Sequence, residues 1–588
     1  MNRIQMVVYG DSIAAGTSAK LDVFHNCFRH GTTVVNTVRE TQTWRSIASR
    51  ILTDWVGQEV SMAGAGVAGD TPTAGLARLE ADVLSLVPDW VLVQFGTEEA
   101  LAGGRVETFR DTLREIVAQI SARGVRAVLT TPTPISERMT AHGITLTEVR
   151  RLQARLAERA HAVRRLAEEL SIPLIDLHRY FLDTRLAYDH LDKGFLPDGV
   201  AQSAMASFVA GELLPMLGVR DFPKPVLCDY RNIHSDREHF DTQHNGFTDI
   251  AYFRGEFYVG FRAGIRHGMS ETSCGDTLVL RSQDGITWVQ DAVLHAEGFM
   301  ETRDPKFLVV GDRLMLYAIV WRPGPSEIQP YDFGTYGFER LDLGSWSEGF
   351  ECVAEHIFWR PRAYGAGYVA PVYDWRTEDG RTFSSEVKLL QSVDGRTWTP
   401  HSTILPCEVG GNETDLWVGR KSLVAFSRAE AASRFKMQIS TYDASAHAWE
   451  TVSSDRILHA PCVFEVGERV MVIGRYCSQS DRRFEELSDD WGVFTRSTDA
   501  ETSGVDPARV EEYHHGLRTG IFMMDGTTPR LVMELLSAGD CSYTGAVQYG
   551  EEIVISDYSM HECYPAIRNV GDWETPCDIY VSRIRFGR

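Results

Sequence analysis

Residues 244–262 read HNGFTDIAYFRGEFYVGFR, and this stretch decides how the longer part of the chain folds. Phe247, Ile250, Tyr252 and Phe253 precede Arg254-Gly255-Glu256, and Phe257, Tyr258, Val259 and Phe261 follow it. Aromatic and β-branched residues on either side of a glycine-bearing reversal predict two strands of a hairpin. Asp249 heads the first strand and Arg262 ends the second, so the hairpin brings an acid and a base to one end. On its own that pair is a salt bridge or part of a site. The rest of the sequence separates the two, because the pattern recurs.

With the turn glycine as marker, a polar residue heads a strand, a turn follows, and an apolar second strand completes the unit. Asp249 precedes Gly255, Asp304 precedes Gly311, Arg360 and Arg362 precede Gly367, Glu413 precedes Gly419, His459 precedes Gly467, and Tyr543 precedes Gly550. Six units recur at about 50 residues each, the spacing of propeller blades. A second motif repeats as well: residues 282–288 and 392–398 are both Ser-x-Asp-Gly-x-Thr-Trp, a turn in which the Asp accepts backbone hydrogen bonds and the Trp buries between strands. Strand heads of successive blades converge on one face of a propeller. Asp249, Asp304, Arg360 or Arg362, Glu413, His459 and Tyr543 are therefore expected to ring a central funnel. Arg262, Arg428 and Arg475 end second strands and are expected to converge on one anion, since a guanidinium pairs bidentately with a carboxylate.

The first part of the chain follows another rhythm. Short apolar strands at 4–9, 59–62, 90–95, 127–131 and 174–177 alternate with helical patterns such as Val106–Ala122 and 148–170, which predicts a parallel α/β sheet covered on both faces. Loops after the first three strands, Gly10-Asp11-Ser12, residues 65–71 and Gly96-Thr97-Glu98-Glu99, lie at the carboxyl ends of those strands, where ligands bind in such sheets. The proline-bearing stretch 214–229 ends this rhythm. The sequence thus divides into an α/β domain over 1–220 and an all-β domain over 221–588.

The 588 residues carry a net charge of -22, which disfavours nucleic acid and anionic membranes as partners but permits a local basic pocket. No run of eighteen apolar residues is evident and the N-terminus reads as a strand entering a turn, so neither a membrane span nor a leader is expected. Ten cysteines without a CxxC pair suggest neither a zinc site nor a disulfide framework. A cytoplasmic location follows as the expectation. No metal and no cofactor is expected, and oligomeric state is left open. His244, His267 and His561 lie near strand ends, where they line the funnel or serve as structural histidines.

Three resemblances attach to these residues. The first domain resembles the SGNH (GDSL-type) hydrolases, a flavodoxin-like α/β fold. The likeness implies Ser12 as nucleophile, Gly66 as an oxyanion donor, Glu98 in the third block and Asp198 in the last. Two positions depart from the family: its oxyanion asparagine is Glu98 and its base histidine is Ala201. A serine without a base is a poor nucleophile, and a carboxylate repels a developing oxyanion, so most of the usual acyl transfer is expected to be lost. His190 substitutes for the base only if its loop folds back. The second domain resembles the sialidase-type six-bladed propellers, whose Asp-box matches the repeated Ser-x-Asp-Gly-x-Thr-Trp. That likeness implies Tyr543 as nucleophile, Glu413 as its base, Asp249 as acid/base, and Arg262, Arg428 and Arg475 as carboxylate ligands, with Arg360 and His459 also binding substrate; the family's opening Arg-Ile-Pro is missing. The five-bladed arabinanase and fructosidase type is similar in its carboxylates, to which Asp249, Asp304 and Glu413 correspond.

The expectation is an exo-acting, sialidase-like glycoside hydrolase that cleaves a terminal acidic sugar in the funnel. The alternatives are a carbohydrate esterase or deacetylase acting through Ser12, and a non-catalytic glycan-binding or scaffold protein. The partner in each case is a carbohydrate or glycosylated small molecule.

Overall fold

A computed structural model describes residues 3–16, 43–235, 244–267, 273–324, 331–341, 344–374, 386–420, 422–430, 433–494, 516–561 and 577–587. In the first domain, β1 (Ile4–Gly10), β2 (Val60–Gly66), β3 (Trp90–Gln94), β4 (Arg126–Thr130) and β5 (Leu174–Ile175) form one parallel sheet in the order β2-β1-β3-β4-β5. Alternation along β1 divides the core. Met6 and Val8 face α1 (Trp44–Val56), while Val7 and Tyr9 face α2 (Pro72–Asp82) and α3 (Val106–Ala122). α4 (Leu146–Leu170) packs on the α3 side, and α5 (Gly199–Leu213) packs beside α1. β3, WVLVQ, is buried throughout, as expected for a strand covered on both faces. Helices Val106–Ala122 and Leu146–Leu170 lie where the sequence periodicity puts them.

α5 and the turn after it, Gly199–Leu217, are long and apolar enough to cross a membrane, although 72% of that window is buried inside the protein. The stretch is not one unbroken apolar run, since Gln202, Ser203, Ser207 and Glu212 interrupt it. Glu212 is the single charge within it, because the helix is sandwiched between the sheet, α1 and the propeller. Among the described cysteines all eight are free thiols, and Cys27 and Cys563 lie outside the described residues.

The second domain is a six-bladed β-propeller. The inner strands of blades 1, 2, 4, 5 and 6 are His244–Phe253, Glu301–Val310, Gly411–Val418, His459–Val466 and Cys541–Tyr549. Blade 3 starts with two short pieces, Ile357–Phe358 and Arg362–Tyr364. The outermost strand of blade 6 is Pro225–His234, contributed from before blade 1, so the ring closes by pairing the two ends of the domain. The Ser-x-Asp-Gly turns link the third and fourth strands of blades 1 and 3. Asp284 accepts from the amides of Ile286 and Thr287 at 2.8 Å each, and Asp394 does the same for Arg396 and Thr397. These bonds hold the exposed Asp284 carboxyl down at about 2.

The inner strands share a feature with functional consequences. Each is broken at one place, where two residues oppose one on the neighbouring strand: between Gly246 and Asp249, Arg303 and Lys306, Gly411 and Thr414, His459 and Cys462, and Ser542 and Gly545. Blade 3 has its interruption between Phe358 and Arg362. A bulge re-aims the side chain it carries. Phe247, Asp304, Ala460 and Tyr543 all take left-handed backbone there (φ 60, 52, 53 and 43°).

Candidate functional site

The bulge residues are Phe247, Asp304, Trp359, Glu413, Ala460 and Tyr543, one from each blade, and they meet at the propeller centre. Tyr543 lies edge-on to both Phe247 and Trp359, with centroids 5.0 Å away in each case. Its hydroxyl donates to Glu413 Oε1, and Glu413 Oε2 accepts from the Ala460 amide at 3.0 Å. Arg428 donates to Glu413 at 2.9 Å and lies 3.1 Å from Glu430. The Arg475 guanidinium sits over the Tyr543 ring at 5.7 Å. Arg303 sits over the Phe247 ring at 4.4 Å, and its Nε is 3.7 Å from Asp304. Tyr543, Glu413 and Asp304 are buried, whereas the side chains of Arg428, Arg475 and His267 are partly exposed. Arg428 and Arg475 thus stand at the outer rim, and the Tyr–Glu pair, Asp304 and the buried Arg303 lie deeper.

Electrostatics follow from this layering. Burial, reinforced by Glu413, pushes the Tyr543 hydroxyl well above its ordinary range, and Arg428 and Arg475 oppose that shift. Burial also raises the Asp304 carboxyl, against the pull of Arg303 and Lys306, and Asp304 Oδ1 has no hydrogen-bond partner among the described residues. Lys306 is buried over the Trp359 ring at 4.6 Å. Desolvation first, then Arg360, lowers its ammonium to about 8.

Of the residues predicted to ring the funnel, Asp304, Glu413 and Tyr543 meet, together with Arg428 and Arg475. The others are placed differently. Asp249 directly follows the bulge, two residues past Phe247. It accepts from the Phe307 amide at 2.8 Å and from Arg360, which also reaches Asp415 at 3.2 Å. Asp249 and Arg360 are therefore an internal brace between blades, and both are buried. Arg362 joins the same brace through Asp415 at 2.6 Å. Arg262 is fully buried and committed to Glu301, to the Ser273 carbonyl and, at 2.7 Å, to the Arg266 carbonyl. Arg303 stands at the site where Arg262 was expected, and the sequence signal for it is its place beside Asp304, in Arg303-Asp304-Pro305 at the head of the second repeat. His459 is buried, with its imidazole kept well below its usual range by desolvation, Arg428 and Arg475.

His244, His267 and Asp540 bring ligand atoms within 4.8 Å of one another. Two guanidiniums reach this cluster, Arg262 at 3.1 Å from His244 and Arg475 at 3.3 Å from Asp540, and these oppose a cation. Asp540 instead braces Arg475. Desolvation works to raise its carboxyl, but the two imidazoles hold it well below its ordinary range. His561 lies on blade 6, bonded to Tyr230 at 3.3 Å.

In the first domain, Ser12 is in the turn after β1. It is buried, and its Oγ has no hydrogen-bond partner among the described residues. Asp11 beside it accepts from the amides of Ile13 and Thr97 at 3.0 and 3.2 Å, and burial raises it to about 7. Burial likewise raises Glu99 to about 8. Gly66 must be glycine, since a Cβ there would lie 2.2 Å from the Ala15 amide nitrogen. Glu98 is half-buried in the third loop. Asp198 caps α5 by accepting from the Ala201 amide at 3.0 Å, and its other oxygen lies 3.1 Å from His190 Nδ1.

Comparison with known proteins bears on this first domain. Residues 8–197 match the family model described as GDSL-like Lipase/Acylhydrolase family. Thioesterase 1/protease 1/lysophospholipase L1 of Escherichia coli (strain K12) is 28% identical over 170 residues, covering 28% of this chain and 74% of that protein. A lipase/acylhydrolase from Enterococcus faecalis is 22% identical, covering 36% of this chain and 95% of its own, with a TM-score of 0.29. An acetylxylan esterase from Geobacillus stearothermophilus, solved as a catalytic mutant, is 17% identical, covering 37% and 97%, with a TM-score of 0.28. With the fold and the loops already described, residues 8–197 are a GDSL-like lipase/acylhydrolase domain, and the chain joins this hydrolase domain to a six-bladed β-propeller.

Proposed function

We propose that the propeller centre is the active site of an exo-acting glycoside hydrolase that removes a terminal, carboxylated sugar. The observation that carries this reading is the buried Tyr543 hydroxyl donating to Glu413, with the partly exposed Arg428 and Arg475 and the buried Arg303 around it. A neutral tyrosine suits attack beside an anionic sugar, where a carboxylate would be repelled. Glu413 takes the phenolic proton as the Tyr543 oxygen bonds to the anomeric carbon. Asp304, whose carboxyl burial raises, gives its proton to the departing glycosidic oxygen. In the second half, Asp304 as carboxylate takes a proton from water, the water oxygen replaces Tyr543 at the anomeric carbon, and Glu413 returns the proton to tyrosine. The three arginines hold the sugar carboxylate.

Turnover of 4-nitrophenyl glycosides of carboxylated sugars tests this reading. Tyr543→Phe and Glu413→Gln are expected to lower kcat by about 10³ or more. Asp304→Asn is expected to slow poor leaving groups by about 10²–10⁴ and 4-nitrophenol much less. Unchanged turnover in Tyr543→Phe, or none by the wild type on any such glycoside, sinks the reading. The hydrolase family of residues 8–197 favours a second activity, hydrolysis of esters on acylated sugars through Ser12, with the propeller presenting the glycan.

A further inference from the structure

We infer that His190 is the general base for Ser12, brought from outside the position where the family carries it. This rests on the second activity above. Position 201 is alanine, and it is fully buried in the same core cluster as Ile13 and Ala14, which flank the Ser12 turn. The aspartate that would orient a histidine there is present as Asp198 and is not idle. One carboxylate oxygen caps α5 and the other lies 3.1 Å from His190 Nδ1.

The hairpin that folds His190 back is well anchored. Leu191 pairs with Pro197 and Asp192 with Leu196, the Asp198 amide donates to the His190 carbonyl at 3.1 Å, and Ser136 donates to Gly194 at 2.7 Å. Gly194 takes φ 82°, and a Cβ there would lie 2.3 Å from the Met139 side chain. Leu191 and Leu196 bury in the cluster that holds Ile13, Ala14 and Ala201. The hairpin and the serine turn are therefore parts of one packed unit. From the propeller, Tyr230 sets its ring edge-on to His190 at 6.3 Å, so that domain supplies a wall of the imidazole's surroundings.

With Nδ1 facing a carboxylate, the tautomer is set: Nδ1 carries the proton and Nε2 is the lone-pair nitrogen, the one a base uses. His190 Nε2 and Ser12 Oγ have no hydrogen-bond partner among the described residues. The Ser12 oxygen bonds to the ester carbonyl carbon and its proton passes to His190 Nε2. The alkoxy group then leaves with that proton, giving an acyl-Ser12. Water adds to the acyl carbon, gives its proton to Nε2, and the Ser12–acyl bond breaks as serine recovers the proton. The products are a carboxylic acid and an alcohol. Glu98 stands where the family has an oxyanion donor, so the expected rate is modest.

The test uses the full chain with 4-nitrophenyl acetate and a fluorophosphonate probe read by mass spectrometry at Ser12. The wild type is expected to hydrolyse the ester and to label at Ser12, and Ser12→Ala to do neither. His190→Ala is expected to lower kcat by about 10²–10⁴ and to remove the ascending limb of the pH–rate profile. Asp198→Asn is expected to lower kcat with that limb displaced. His190→Gln, which retains a polar group towards Asp198, guards against misfolding: a loss of ester hydrolysis at unchanged melting temperature supports the assignment. If Ser12 labels and hydrolyses esters equally well without His190, the base assignment is wrong while the esterase reading stands. If the wild type neither labels nor hydrolyses, both fall together.

Discussion

Asp304 and Asp249 show how far two residues in one kind of strand can diverge. Both are acids in inner strands, yet Asp304 occupies a bulge and faces the Tyr543–Glu413 pair, whereas Asp249 lies past its bulge and neutralises Arg360. The difference is one of pairing against desolvation: Asp249 accepts directly from Arg360, whereas burial raises the Asp304 carboxyl against the pull of Arg303 and Lys306. The same physics acts at Asp557 on the second strand of blade 6. It is fully buried, neither oxygen has a hydrogen-bond partner among the described residues, and burial raises it to about 8. Between about pH 4 and pH 8 the folded protein keeps a proton there that the unfolded chain releases, so stability falls as pH rises through that window. Asp11 and Glu99, raised to about 7 and about 8, act with the same sign. Asp557→Asn is expected to raise the melting temperature by a few °C at pH 8 and to change it little at pH 5. Calorimetry at the two pH values checks this, and an equal shift at both would show that ionisation is not the cause.

The bulge is the device at the level of the element. Side chains alternate along a strand, and one inserted residue shifts every later side chain to the other face. Each inner strand uses this once, which puts Phe247, Asp304, Trp359, Glu413, Ala460 and Tyr543 at the centre and the residues beyond them into braces between blades. Gly545, two residues after Tyr543, shows how tightly the strands meet: a Cβ there would lie 2.4 Å from both Asp249 Oδ1 and the Ile250 amide. Gly545→Ala is expected to destabilise the protein by about 1–3 kcal/mol. It is also expected to lower glycosidase kcat by about tenfold or more, because displacing Tyr543 misaligns the attacking oxygen. Denaturant unfolding and single-turnover kinetics on the same preparation measure the two effects. Intact kcat alongside lost stability would place the strain away from the site.

The whole molecule is held as one body by the face that α1 and α5 present to blade 5. Arg50 binds Glu534 at 2.7 Å, and the buried Glu534 also accepts from Tyr476. Asp54 takes Arg456 at 2.6 Å, Trp55 donates to the Leu531 carbonyl at 2.8 Å, and the core cluster of α1 and α5 runs on into Leu531, Val532 and Met533. Calorimetry is therefore expected to show a single unfolding transition for both domains. Arg50→Ala leaves Glu534 buried without its cation, a loss of about 3–5 kcal/mol, and is expected to split the transition in two. Two transitions in the wild type would mean that the interface is not cooperative.

By itself the sequence determined the two domains, the six-fold repeat, the turns that link outer strands and the loops at the carboxyl ends of the first sheet. Each of these rests on local chemistry: glycine at a reversal, alternation of apolar residues, an aspartate that accepts its own turn's amides. It also singled out Asp304, Glu413, Tyr543, Arg428 and Arg475, which the structure brings together, and Ser12 and Asp198. The tertiary structure alone decided which acid and which third arginine stand at the centre. A bulge forms where one strand meets its neighbour, and a sequence does not show which two residues will share one partner, so Asp249 and Arg262 gave way to Asp304 and Arg303. His190 depended on the structure for the same reason: only the folded hairpin brings a residue eight positions before Asp198 onto its carboxylate.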